Sequence, residues 1–357
     1  MADKSNGNED LSYVSLADII EKDIQTRPII EQVFNEKESL LLFGAGGVGK
    51  SLTALDLALF MGSLKPEDEN KPLLWDQFSV PFHRKSLFVQ SENSFATTQD
   101  RIKLMCRGSP EYVFGFNCVF FPNRFNEIKV VGSLINKGFR EYIINLIKGA
   151  EQNTGEKIDI LVIDPLISFC DCDENDNSRM RTNLDFLTEI ENIANVTSIV
   201  IHHADKRKGD IRGATAIRDW ARSVIKLNPH KVGNHEAIVF THMKNNSGKK
   251  FKTFTVYLDD CLKFNKVVKT KDAIKKLKQS KAENVIKALE EMGGAAKSQV
   301  ELISKYQEMF NIGTSTTAKR HILDAIKADA VKVIKKKDKS TEYRIKVDDK
   351  NTNDKQM

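Results

Sequence analysis

Between residues 36 and 262, short apolar runs alternate with stretches of helical periodicity. The runs at 40–43, 86–90, 118–121, 158–163 and 198–202 are almost unbroken in apolar residues. A strand carries that pattern when both of its faces are covered, as in a parallel sheet flanked by helices. The stretches 52–60, 139–148 and 180–194 instead repeat their apolar residues at helical spacing. Strands alternating with helices predict an α/β fold with a mainly parallel sheet. Later runs at 223–227, 236–242 and 253–258 have no long helix between them. They are predicted to extend the sheet as antiparallel strands and hairpins.

Beyond residue 262 the pattern changes. A Lys-rich stretch, 263–281, reads as a basic linker. Residues 282–292 then form a predicted helix with Val285, Ile286 and Leu289 on one face, ended by Gly293 and Gly294. A second amphipathic helix is predicted at 298–310 and broken by Gly313. Thr314 or Ser315 can cap a third at 316–328. Alternating strands at 331–334 and 343–347 flank Lys335, Lys336 and Lys337. Three helices and a basic-tipped hairpin look like a winged helix, a fold that either binds DNA, with its third helix, here carrying Lys319 and Arg320, in a groove and its wing on phosphates, or binds another protein. The expected organisation is an N-terminal segment (1–35), a large α/β domain (36–262), the linker (263–281), the winged-helix-like domain (282–348) and a disordered polar tail (349–357).

Charge sharpens this division. The net charge of +6 is uneven: from Lys266 to Met357 there are 22 Lys and Arg against 13 Asp and Glu. That part carries +9 and the rest −3, the balance of an enzyme core joined to a polyanion-binding module. No apolar stretch approaches a membrane span, and the polar, acidic first ten residues do not read as a signal peptide. Five cysteines in no regular framework point to a reducing, cytoplasmic setting. Cys170 and Cys172 lack a second Cys/His pair at ligand spacing, which favours a plain loop over a metal site.

The sharpest chemical signal is at 44–51, Gly-Ala-Gly-Gly-Val-Gly-Lys-Ser, which matches the phosphate-binding pattern G-x-x-x-x-G-K-[ST] between a strand and a helix. Gly44, Gly46, Gly47 and Gly49 let backbone N–H groups turn towards a phosphate chain. Val48 and Leu52 complete the cradle. Lys50 supplies a cation for the β/γ-phosphates and Ser51 a hydroxyl for Mg²⁺. ATP and Mg²⁺ are therefore the expected ligands. Asp164 ends the apolar run 158–163 and is the second candidate Mg²⁺ group, whereas Asp159 sits at the run's other end. Glu92 follows another strand and suits either the polarisation of attacking water or the start of a helix. His202 and His203 end a third strand, before a basic loop with Lys206, Arg207 and Lys208 that suits a phosphate backbone.

In order and spacing, GAGGVGKS (44–51), FVQSEN (88–93), LVIDPL (161–166), IVIHHADK (199–206) and RGATAIRDWARSV (212–224) resemble the RepA-like replicative helicases, RecA-like P-loop ATPases. The resemblance spans roughly residues 28–258. It implies a RecA-like core in a ring, usually a hexamer, that hydrolyses ATP between subunits and unwinds DNA, with replication proteins as further partners. It implies Glu92 as catalytic base, Asp164 as the Mg²⁺-associated acid, His203 as γ-phosphate sensor and Arg222 as an arginine finger reaching a neighbour's ATP, with Arg212 and Arg218 as competitors. Lys244 matches the first position of a trans-acting K-x-R pair of the related DnaB-type helicases, but Asn246 stands at the second. The acids of 171–176 depart from expectation, because a channel-facing loop there would repel DNA. The alternatives to a helicase are a recombination or maintenance ATPase that does not unwind, and a nucleotide-switched DNA-binding regulator.

Overall fold

The computed structural model describes residues 14–22, 26–65, 71–205, 211, 215–232, 235–267, 270–310, 312, 314–336 and 340–346. The first described elements are a short helix, α1 (Leu16–Glu21), and a hairpin of β1 (Pro28–Ile30) and β2 (Phe34–Asn35). Strand and helix then alternate through β3 (Leu40–Gly44), α2 (Lys50–Ser63), β4 (Ser86–Gln90), α3 (Phe95–Gly108), β5 (Val119–Phe120), α4 (Lys137–Thr154), β6 (Ile160–Asp164), α5 (Asn177–Ala194), β7 (Thr197–His203) and α6 (Thr215–Trp220). Four strands follow, β8 (Ser223–Val232), β9 (His235–Asn245), β10 (Phe254–Leu258) and β11 (Phe264–Lys266). The C-terminal elements are α7 (Thr270–Glu291), β12 (Ala295–Ala296), α8 (Gln299–Phe310), α9 (Ser315–Lys327), β13 (Val331–Lys335) and β14 (Thr341–Ile345).

Among the described residues, nine strands form one sheet in the order β11-β10-β9-β8-β3-β7-β6-β4-β5. Pairings from β8 to β5 are parallel and those from β8 to β11 antiparallel. The sheet is thus mainly parallel, with an antiparallel extension on one side. The continuous apolar strands follow from two-sided burial. Leu40 and Leu42 pack into the core on the α2 face, while Leu41 and Phe43 pack against α4 and α5 on the other. Since neighbouring strand side chains point to opposite faces, a strand with both faces covered must be apolar at every position.

Helix α2 is buried on nearly its whole circumference, which explains its unbroken apolar run. A 3-10 segment, Pro110–Cys118, packs over its outer side and was not foreseen. The one acid inside α2, Asp56, is fully enclosed and accepts hydrogen bonds from Trp75 Nε1 at 2.7 Å and Tyr112 OH at 2.8 Å. Burial lifts its pKa to about 7, against the lowering effect of those two donors.

Helices α7, α8 and α9 and a three-stranded antiparallel sheet, ordered β12-β14-β13, enclose a separate core that includes Val285, Leu289, Leu302, Tyr306 and Ile322. Thr314 caps α9 by accepting a hydrogen bond from Thr317 N. Two boundaries differ from the sequence expectation. The stretch 263–281, read as a linker, holds β11 and the first half of α7. Its lysines read as a linker because charge dominates the pattern, although Lys is itself a good helix former. Residues expected in an N-terminal segment, Ile29, Ile30, Val33 and Phe34, are buried in the main core. Within the acidic stretch 171–176, Asp176 caps α5 and Asp173 accepts from Asn175 N.

Candidate active site at the carboxyl edge of the sheet

The parallel strands end together, and their register decides which side chains meet. Gly44 pairs with His203 and Leu227, and Gln90 with Asp164. The loop 44–49, the end of β6 and the residues after β4 therefore share one edge.

The loop conformation depends on particular glycines. Gly47 and Gly49 have φ of +76° and +97°, a left-handed region that L side chains rarely adopt. At Gly44 a Cβ would lie 2.4 Å from the carbonyl oxygen of Leu227 on the neighbouring strand. Gly46 and Gly47 face open space, with nothing within 4 Å of a Cβ. Lys50 starts α2 and turns its ammonium inward, where Nζ donates to Gly44 O at 3.0 Å and Ala45 O at 2.9 Å. Burial lowers its pKa, while Asp164 and Glu92 act to raise it. A caged cation at the start of a helix, beside a glycine loop that faces open space, suits an anion.

Asp164 ends β6 and is buried. Burial raises its pKa to about 6; the Glu92 charge adds to the rise, while a hydrogen bond with Ser51 and the charges of Lys50 and Arg101 oppose it. Its Oδ2 is buried without a hydrogen-bond partner. A hydroxyl and a carboxylate in contact, with one carboxylate oxygen still unsatisfied, suit a hard divalent cation such as Mg²⁺. Asp159, at the other end of the run, pairs instead with Arg84 at 3.0 Å.

Glu92 lies exposed just past β4, close enough to Lys50 and Asp164 to act on both electrostatically. It does not cap the following helix, because Ser94 does so by accepting from Thr97 N. Arg101 on α3 was not foreseen. Its guanidinium donates to Asn93 Oδ1 at 2.8 Å and lines a small recess with Ser51, Gln90, Asn93 and Asp164. An arginine within an exposed amphipathic helix carries no sequence signal; only the packing of α3 over the strand ends brings it there. His203 stands beside Gly44, and His202 is fully buried.

Beyond the loop, a cavity of about 580 Å³ opens between Gly46, Gly47, Val48, Gly49 and Leu52 on one side and the antiparallel strands on the other. Ile238, Leu258 and Leu262 supply its apolar wall, and His230, Lys231, Glu236 and Asp259 its polar groups. These wall residues are far from the phosphate loop in sequence, and no motif marks them.

Other expected site residues lie elsewhere. Arg222 precedes β8, whose first residue pairs with Leu40 while Leu227 pairs with Gly44. It is exposed at the opposite edge of the sheet, five residues from Leu227 and so about 16 Å from the loop at ~3.3 Å per strand residue. Lys244 is at that same edge, but its ammonium is occupied. Nζ donates to the carbonyls of Arg218 and Asp219, each at 3.0 Å, closing the end of α6. In the single chain the trans-acting candidate Lys244 thus closes a helix end, whose carbonyls lack intrahelical donors and attract a cation. Lys319 and Arg320 are exposed on α9, as is Lys335 at the end of β13, whereas Lys336 pairs with Glu342 at 2.7 Å. Lys206, Arg207, Lys208, Arg212 and Lys337 lie outside the described residues.

No curated protein matches the chain. Among solved structures, a KaiC-like protein from the hyperthermophilic archaeon Pyrococcus horikoshii matches at 17% identity with a TM-score of 0.45, over 67% of this chain and 93% of that one. A family model described as "AAA domain" matches residues 8–209, more than half of the chain, and includes the phosphate loop, Glu92, Asp164 and His203. The chain belongs to this family of AAA-domain P-loop ATPases.

Proposed function

We propose that the protein is an ATP-dependent, ring-forming DNA helicase of the RepA-like class, with ATP hydrolysed between subunits. The observation that carries this reading is the split of charged groups between two edges. Lys50, Ser51, Asp164, Glu92 and Arg101 gather around the phosphate loop. Arg222 lies at the far edge, beyond reach of its own loop. An exposed arginine there suits a phosphate held by an adjacent copy, where a fixed, delocalised charge offsets charge developing in phosphoryl transfer.

In this reading ATP places its phosphates against the N–H groups of the loop, and Lys50 exchanges two carbonyl acceptors for phosphate oxygens. Ser51 and Asp164 would hold Mg²⁺, which when bound neutralises phosphate charge. Glu92 takes a proton from the attacking water, and His203, adjoining Gly44, relays the state of the γ-phosphate to the basic loop after β7. The cavity beside the loop takes the base and ribose. The C-terminal module acts as a winged helix, with Lys319, Arg320 and Lys335 towards DNA. The ring is hexameric, works in the cytoplasm and meets replication proteins.

The test is displacement of a labelled strand from a forked duplex in the presence of ATP and Mg²⁺, with Lys50→Ala as control. Strand release by the unaltered protein and none by the variant is expected. DNA-stimulated hydrolysis without release would instead indicate a non-unwinding ATPase. DNA binding that changes with nucleotide, without stimulated turnover, would indicate a regulator.

A further inference from the structure

The turn between β10 and β11 has two working faces. Towards the phosphate loop, Leu258, Asp259 and Leu262 form part of the wall of the 580 Å³ cavity. Towards the C-terminal module, the intervening residues enter another core. Cys261 is 2% exposed and packs within the hydrophobic cluster of α7, α8 and α9. Asp260 Oδ2 accepts a hydrogen bond from Tyr306 OH at 3.2 Å and lies 3.3 Å from His321 Nδ1. Tyr306 and His321 are themselves buried and 3.1 Å apart, so the carboxylate of the turn completes a polar network inside the module.

The turn is also stiff. Asp259 Oδ1 accepts from Cys261 N at 2.9 Å and Lys263 N at 3.0 Å. Leu262 is held at φ +58°, a backbone state that a leucine keeps only where its surroundings enforce it. A stiff turn cannot move one face and leave the other in place. Its residues face the cavity and the module by turns, and therefore tie the two sites together mechanically.

We propose that the C-terminal module forms the outer support of the nucleotide wall, so that nucleotide binding and docking of the module onto the 259–263 turn favour each other. The inference rests on the reading that the phosphate loop and its cavity take a nucleoside triphosphate. A base against Leu258 and Leu262 stabilises the same turn conformation that Tyr306 and His321 grip from behind. By linkage the effect is reciprocal: a loosened module weakens nucleotide binding, and a filled cavity tightens the module. The module thereby reports nucleotide state to whatever it holds.

The experiment measures binding of the slowly hydrolysed analogue ATPγS with Mg²⁺ to the full chain by calorimetry, for the unaltered protein, Asp260→Ala, Tyr306→Phe and Lys50→Ala. It is paired with hydrogen exchange of the unaltered chain with and without saturating ATPγS. Asp260→Ala is expected to weaken binding at least about fivefold, the lower end of ordinary coupling between sites, and Tyr306→Phe by less. Amides of the 259–263 turn, α8 and α9 are expected to exchange more slowly when nucleotide is bound. Wild-type affinity in both module-side variants, with unchanged exchange in α8 and α9 at saturation, overturns the proposal. If Asp260→Ala does not fold, the exchange result on the unaltered chain decides alone. Failure of the underlying reading looks different: the unaltered protein does not bind ATPγS, or binds it no better than Lys50→Ala does.

Discussion

Glu92 acts electrostatically on both Lys50 and Asp164 from just beyond the end of β4, and it caps no helix. Glu92→Gln is expected to bind ATP with Mg²⁺ about as well as the unaltered protein and to turn over ~10²–10⁴-fold more slowly, the usual worth of a general base. Single-turnover hydrolysis measured alongside nucleotide affinity checks this, and an unchanged rate would move the base elsewhere. Asp56 supports a second prediction about a single side chain. Its folded-state pKa, about 7, lies above the ordinary carboxyl value chiefly through burial. The folded protein therefore holds this proton more tightly than the unfolded chain does. The resulting stability is fully present below the unfolded value and is lost as pH rises through about 7. A rise of this size corresponds to a few kcal/mol, at roughly 1.4 kcal/mol for each tenfold change in proton affinity. Melting temperature is expected to fall between about pH 4 and 7, the interval between the ordinary and the raised value, and Asp56→Asn to flatten that slope. Parallel slopes for the two proteins would show that Asp56 does not set it.

Among the elements, the phosphate loop separates two uses of glycine. Gly44→Ala drives a methyl group to 2.4 Å from the Leu227 carbonyl and must push β3 from β8. A loss of about 1–3 kcal/mol in unfolding free energy is expected from such overpacking. Gly46→Ala meets nothing within the protein. It is expected to leave the melting temperature unchanged and to weaken nucleotide binding, since its methyl group points into the space a phosphate would use. Calorimetry and thermal melting on the pair distinguish folding from binding. The opposite edge of the sheet carries its own prediction. Arg222→Ala should bind nucleotide but not hydrolyse it in the assembly. Mixing it with Glu92→Gln subunits should restore part of the activity, because some interfaces then hold both intact groups. Mixtures that stay inactive despite demonstrated subunit exchange would count against an arginine acting in trans.

Over the chain as a whole, charge and architecture divide the labour. The surplus of +9 from Lys266 to Met357 is spread over the C-terminal elements, with Lys319, Arg320, Lys332 and Lys335 exposed on α9 and β13. Lys336 is already paired with Glu342, so Lys335 is the better placed of the two to meet a phosphate. Lys335→Glu is expected to flatten the slope of log affinity against log salt on duplex DNA, by roughly 0.9 for each phosphate no longer neutralised. Nucleotide affinity should stay as it was. A salt titration of duplex binding checks this, and equal slopes would point the module towards a protein partner.

Local chemistry and fold class were legible from the order of residues alone. Gly44 to Ser51 form a contiguous motif, and Asp164 closes an unbroken apolar run, so neither needed a tertiary contact to be found. Two-sided burial leaves a continuous apolar signature, which is why β3, β4, β6 and β7 were located close to their true limits. Whatever depends on register, or on distant segments meeting, came only with the fold. Arg101 reaches the recess because α3 packs over the strand ends, and the cavity wall joins β9 to the turn after β10. Lys244 was legible as a cation, but the packing of α6 gave it carbonyl partners. The lysines of 263–281 looked like a linker because charge dominates their pattern, whereas pairing with β10 makes Phe264–Lys266 a strand. Short-range patterns record which faces are buried; they do not record which surfaces bury them.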